Sequence, residues 1–324
     1  MSTKRLWLAG KWKWVVPVII IALVFPAGLY LVSNREKEEI DEAKRIELGG
    51  TYISLSEGIT HYELIGPPKG SVVVLVHGGS VPMWGWDSQV ASLAAAGLRV
   101  LRYDMYARGY SDRPNVEYNR ALYREQLLEL LNALGLIEPV DLVGLSFGGA
   151  IAADFTANHP GRVRHLVLCA PMVAFAETGQ NATYQKLLRM PAIGDFLLRT
   201  VVMQKYIERA SYLFEPSEKS NHYNKLFREQ FKYKGGERAV LSMFRGDALG
   251  DYRDSYGAIG KQDRKVMLIW GTADSDISRS MIDEVREAIP HICFHSLEGV
   301  GHGLNFEASK ELNELIIDFL NNTR

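Results

Sequence analysis

The stretch Val140-Asp141-Leu142-Val143-Gly144-Leu145-Ser146-Phe147-Gly148-Gly149 limits the folds open to this chain more than any other. A short apolar run, a serine with glycine two residues to either side, and an alanine-rich helical stretch after it fit a strand, a sharp turn and a helix. The glycines let backbone pass close to backbone and permit the strained conformation that lifts a hydroxyl to the top of a sheet. Ser146 is therefore the first nucleophile candidate. A plain strand-to-helix turn would satisfy the same five positions, so the rest of the chain has to decide.

With 324 residues, 47% apolar and 23% charged, the chain can bury a large core as one domain or as a domain carrying an insertion. The formal net charge of -1, and the lack of a basic tract outside the first 45 residues, argue against a nucleic-acid partner. Cys169 and Cys293 lie inside apolar runs without C-x-x-C spacing, and both read as buried free thiols.

Near the N-terminus, Trp14 to Ser33 is a 20-residue uncharged stretch. At 1.5 Å per residue it matches a hydrocarbon core of about 30 Å, so it is expected to be a single membrane anchor with the bilayer as partner. Lys4, Arg5, Lys11 and Lys13 before it, against mixed charges after it, predict a cytoplasmic N-terminus and an extracytoplasmic catalytic part. The expected layout is a tail and anchor over 1–33, a charged stalk over 34–48, a core over 49–171, a helical cap over 172–240, and the rest of the core over 241–324.

Short apolar strands alternate with helical runs from residue 51 onward. Strands are expected at Thr51–Leu55, Ile59–Ile65, Ser71–Val76, Leu98–Tyr103, the run Val140–Val143 that leads to Ser146, Val163–Cys169, Lys265–Trp270 and Ile292–Leu297. This predicts an α/β fold with a mostly parallel eight-stranded sheet, helices on both faces, and ligand sites beyond the carboxyl ends of the strands. The interval from about Met172 to Tyr256 breaks the rhythm with helical segments and reads as an inserted cap.

A serine hydroxyl is a weak nucleophile unless a base takes its proton and a third group holds that base. Of eight histidines, only His77 and His302 sit just past carboxyl ends of expected strands. His302, in a glycine-rich loop, is the general-base candidate; His77 suits the orientation of its own His-Gly-Gly turn. Asp274 and Asp276 both follow the penultimate strand, and spacing alone does not separate them as the group orienting His302. Asp276, closer to the helix starting near Ser278, also suits a cap. The N–H groups of Phe147 and Gly79 are candidates for an oxyanion hole.

Val76-His77-Gly78-Gly79, Asp104 to Ser111, Gly144 to Gly149, Trp270 to Asp274 and Gly301-His302 together resemble the α/β-hydrolase superfamily, in its cap-bearing branch. The resemblance implies Asp274 rather than Asp276 as the triad acid, Gly79 as the oxyanion residue, and a bracing role for Asp104 and its loop. Ala107 stands where relatives commonly carry glycine. Serine at position 146 departs from the haloalkane dehalogenases and epoxide hydrolases of this fold, which use aspartate there. An anchor followed by such a domain is similar to membrane-bound monoacylglycerol lipases.

These features predict a serine hydrolase of carboxylic esters, acting on medium-chain acyl esters or monoacylglycerols through an acyl-enzyme, with no metal or organic cofactor. The same triad also serves carbon–carbon bond hydrolases, perhydrolases, lactonases and thioesterases. A non-enzymatic binding protein that kept the fold is the alternative from another class.

Overall fold

A computed structural model describes residues 24–175, 182–210 and 218–322. Its centre is one eight-stranded sheet of β1 (Thr51–Ser54), β2 (Ile59–Ile65), β3 (Val72–Val76), β4 (Arg99–Tyr103), β5 (Val140–Leu145), β6 (Val163–Cys169), β7 (Val266–Gly271) and β8 (Cys293–Leu297). The spatial order is β1-β2-β4-β3-β5-β6-β7-β8. β1 pairs antiparallel with β2, and β2 antiparallel with β4; every later pairing is parallel. This is the eight-stranded, mostly parallel sheet expected from the alternation.

The valine-rich and leucine-rich strands are continuous apolar runs because helices cover both faces. Val73 to Val76, Leu142, Val143 and Leu166 to Cys169 are all fully buried. Helices Asp87–Ala95 and Ser309–Asn322 pack on each other, while Arg120–Ala133, Phe147–Asn158 and Arg253–Ile259 form a second group. Ala150, Ala152 and Ala153 are fully buried, and their small side chains let helix Phe147–Asn158 lie close against the sheet. Cys169 is buried as expected, and burial pushes its thiol up to about 12. Cys293 is not: it lies exposed on β8, the strand at the edge of the sheet.

Between β6 and β7 the chain leaves the sheet and forms a helical insertion. Its helices include Ala182–Arg189, Ile193–Leu197, Met203–Ala210, Glu218–Glu229 and Gly236–Arg245. The helix that begins at Ile193 is interrupted by a π-helical turn over Leu198–Val202 before it continues over Met203–Ala210. A π turn skips the usual hydrogen-bond register, so it rotates the following side chains and leaves carbonyls for other donors.

One such carbonyl meets the N-terminal segment. Arg35 donates to the Arg199 carbonyl at 3.2 Å and to the Gln204 side chain. The backbone N–H groups of Lys37 and Glu38 donate to the Lys232 carbonyl, and Lys234 N–H donates to the Glu38 carbonyl. Glu36 Oε1 accepts the Glu237 N–H at 2.7 Å. This strap then enters helix Glu42–Leu48, capped by Asp41.

The expected membrane anchor is corrected here. Among the described residues no helix is long and apolar enough to cross a membrane. The described end of the Trp14–Ser33 stretch is a helix over 24–32, about 13 Å long at 1.5 Å per residue, and it leads into a strap lying on the insertion. Residues 1–23, including the four basic residues and the first half of the stretch, lie outside the described residues. The bilayer partner, the extracytoplasmic placement and the monoacylglycerol-lipase-like layout rested on that span and are withdrawn with it.

Candidate active site

The sequence Gly144-Leu145-Ser146-Phe147-Gly148 forms the expected sharp turn from β5 into helix Phe147–Asn158. Ser146 sits at φ 56° and ψ -120°, a conformation disfavoured for a residue with a side chain. The surroundings over-determine it: its N–H donates to the Cys169 carbonyl, and its own carbonyl accepts from Gly149, Ala150 and Met172. The flanking glycines are required by contact. A Cβ on Gly144 would lie 2.4 Å from the Gly148 carbonyl oxygen, and one on Gly148 would lie 2.3 Å from that of His77.

The loops after β7 and β8 bring two further groups to this turn. Ser146 Oγ and His302 Nε2 are 3.0 Å apart, and His302 Nδ1 lies 2.8 Å from Asp274 Oδ2. The other Asp274 oxygen accepts the N–H groups of Asp276 and Ile277 at 2.8 and 2.9 Å, and its side chain is fully buried. A carboxylate with both oxygens so occupied holds the imidazole with its proton on Nδ1, leaving Nε2 to accept from serine. Asp276 is not the cap of the next helix. Ser278 takes that place by accepting the Met281 N–H.

His302 is held by a residue the sequence reading missed. Glu307 accepts the N–H of Gly301 at 2.7 Å and of Gly303 at 3.0 Å, gripping the loop on both sides of the histidine. The signal for it was a Gly-His-Gly segment followed by a carboxylate four residues after the second glycine.

The His-Gly-Gly turn after β3 supplies the opposite wall. His77 is buried, and burial lowers its imidazole to about 4, so the ring is neutral. Nε2 accepts the Met105 N–H at 3.0 Å, which leaves the proton on Nδ1 to donate to the Gly78 carbonyl at 2.7 Å. In a trans peptide the N–H points opposite the carbonyl, so this bond turns the Gly79 N–H away from His77. Gly79 packs against Phe147, with only 3.5 Å between its ideal Cβ position and the Phe147 Cβ. Neither the Gly79 nor the Phe147 N–H donates to backbone or side chain among the described residues.

Asp104 braces this wall from behind. It accepts the N–H groups of Met83 and Tyr110, each at 2.9 Å, and bonds His61 Nδ1 at 2.8 Å. Burial alone would raise its carboxyl; the His61 hydrogen bond and the neighbouring imidazoles and N–H groups outweigh that and hold it low. His61, which the sequence placed away from the catalytic edge, thus acts on the loop through Asp104.

A cavity of about 720 Å³ opens over Ser146 and His302. The core contributes Trp86, Phe147 and Phe306, and the insertion contributes Leu198, Met203 and Phe244 among others. Leu198 and Val202 come from the π turn. No cluster of potential metal ligands occurs among the described residues.

The alpha/beta hydrolase family model matches residues 73–315, which contain every group of this site. The chain belongs to the alpha/beta hydrolase family. Curated relatives include the 2-hydroxymuconate semialdehyde hydrolase of Pseudomonas sp. (strain CF600), 28% identical over 78% of this chain and 87% of that protein. Another is the 2-hydroxy-6-oxo-6-phenylhexa-2,4-dienoate hydrolase of Comamonas testosteroni, 26% identical over 82% of this chain and 92% of that protein. Among solved structures, a membrane phospholipase A described as a bacterial virulence factor superposes with a TM-score of 0.68 at 17% identity, covering 99% of both chains. At that identity the likeness is one of fold.

Fold and relatives make this hydrolase a serine-hydrolase-type enzyme of the superfamily. The expectation of a carboxylic-ester or acyl-lipase activity is corrected by the relatives. Neither named substrate contains an ester bond, so their hydrolysis cuts carbon–carbon bonds. Ester and carbon–carbon hydrolysis share one triad, which is why the motifs did not separate them.

Proposed function

We propose that this alpha/beta hydrolase cleaves a carbon–carbon bond next to a ketone, in substrates of the 2-hydroxy-6-oxo-dienoate class. The observation that carries the reading is the Ser146–His302–Asp274 chain of contacts at 3.0 and 2.8 Å, opening into a largely apolar cavity. The names of relatives matched over most of their length supply the bond type.

In this reading His302 Nε2 takes the Ser146 proton as Oγ attacks the ketone carbon, and Asp274 stabilises the resulting imidazolium. The N–H groups of Gly79 and Phe147 receive the oxyanion. In the keto tautomer of the substrate, made by moving the 2-hydroxyl proton to C5, collapse breaks the C5–C6 bond; its electron pair delocalises through C3=C4 onto the C2 oxygen, and the dienolate is protonated by His302. Water, deprotonated by His302, then releases the carboxylic acid and restores the Ser146 hydroxyl. One water is consumed, and the products are an acid and the shortened dienol or its keto form.

The test is turnover of 2-hydroxy-6-oxo-6-phenylhexa-2,4-dienoate, followed by loss of its conjugated absorbance, beside p-nitrophenyl esters of increasing acyl length. The expected result is a higher kcat/KM for the dienoate, lost in Ser146→Ala. Turnover of the esters alone would reject the carbon–carbon reading while leaving the serine chemistry in place. Cooperative folding with no turnover of either class, and no fluorophosphonate labelling at Ser146, would favour a binding protein.

A further inference from the structure

Among the described residues lining the cavity, Arg108 is the one permanently cationic side chain. It lies in the loop after β4 and is only 9% exposed. Nε donates to the Gly79 carbonyl, Nη1 to the Ala107 carbonyl at 3.1 Å, and Nη2 to the Met243 sulfur at 3.5 Å. No carboxylate among the described residues pairs with it, since Asp104 nearby is occupied by Met83, Tyr110 and His61. Arg102, buried to the same degree, pairs with both Glu63 and Asp87.

A buried charge without a counter-charge is costly, and proteins normally pair it. A guanidinium has five N–H donors in a flat fork. Three are engaged here, one of them by a thioether that is a weak acceptor. One N–H on each terminal nitrogen remains, the pattern that a planar carboxylate meets with two parallel hydrogen bonds. The neighbouring apolar side chains suit the carbon skeleton of an organic acid.

We propose that Arg108 is the recognition group for a carboxylate on the substrate, seated between the Gly79 turn and Met243. This rests on the reading of the cavity as the substrate site and deepens it by naming the anionic end of the substrate. Because Nε also holds the Gly79 carbonyl, the group that takes the carboxylate and the turn that faces the oxyanion share one side chain.

The test uses the Ser146→Ala protein, so that binding is read without turnover, and two stable probes: 6-oxo-6-phenylhexanoate and its primary amide. Calorimetric titration is expected to give the acid roughly tenfold to a hundredfold tighter binding than the amide. Arg108→Gln should erase that preference by weakening the acid far more than the amide, and Arg108→Lys should keep part of it. Equal binding of acid and amide in the Ser146→Ala protein overturns the proposal without any Arg108 variant being needed. Equal weakening of both probes by Arg108→Gln also overturns it, leaving Arg108 as a brace for the Gly79 turn. Arg108-dependent acid binding in a protein that turns over no dienoate would instead reject the carbon–carbon reading and keep the carboxylate site.

Discussion

His77 offers a sharp test of the tautomer argument through His77→Asn. The asparagine amide can still donate to the Gly78 carbonyl, but the Met105 N–H loses its acceptor and the titrating ring is gone. A buried donor left unsatisfied costs about 1–3 kcal/mol, so the variant should be less stable than wild type by about that amount at pH 7. The sign of the pH effect follows from the ring being neutral in the fold. Its folded value is about 4, against about 6.5 in the unfolded chain. Above pH ~6.5 neither state carries the proton and this contribution is fully present. As pH falls toward 4 the unfolded state binds a proton that the folded state refuses, and wild type loses about 3 kcal/mol. The variant lacks that loss, so the two stability curves should converge on acidification and cross before pH 4. Urea unfolding followed by tryptophan fluorescence at half-unit pH steps measures this. Parallel curves from pH 7 to pH 4 would refute the neutral, Nδ1-protonated assignment, as would a wider gap at low pH.

Three further outcomes are expected. Asp274→Asn should lower kcat on the order of 10⁴-fold by removing the charge that holds His302, while Asp276→Asn stays near wild type; equal losses in the two variants would contradict the bond pattern of Asp274. Glu307→Ala frees both glycines around His302 and should lower kcat by roughly tenfold to a hundredfold, with KM and the unfolding midpoint little changed; a loss seen only in stability would make Glu307 a scaffold residue. Gly148→Ala drives a Cβ to 2.3 Å from the His77 carbonyl and 2.4 Å from that of Val76, both backbone atoms, and should cost about 3 kcal/mol in chemical denaturation.

Strands and the turn at Ser146 were legible because backbone geometry dictates residue type there. Doubly covered strands call for unbroken apolar runs, and a turn with carbonyls 2.3–2.4 Å from would-be Cβ atoms accepts only glycine. The choice between Asp274 and Asp276 was not legible from spacing, because residues two apart in a loop point in directions that only the folded turn decides. Glu307 escaped notice because it acts on backbone N–H groups, which every residue carries. His61 looked like an ordinary strand residue, since its partner Asp104 is 43 positions away. Cys293 lay in an apolar run, but its strand is at the sheet edge, and position in the sheet is not written in local hydrophobicity. Trp14–Ser33 was read by hydropathy and length, neither of which reports that the described end of the stretch leads into a strap held by the insertion.

That strap bears on the order in which the enzyme is completed. Arg35 and Arg199 are 164 residues apart, so the segment that clasps the insertion leaves the ribosome long before its partners exist. β3, β4 and β5 can pair in the meantime, because the stretches between them are shorter and their contacts are more local. The outer wall of the cavity then forms late, when the insertion folds back against a strap already waiting. In the complete chain the Arg35–Arg199 closure is still longer than those joining β3, β4 and β5, so a fluorophore on these strands and one on the π turn over Leu198–Val202 should report refolding on two different clocks, the strands first.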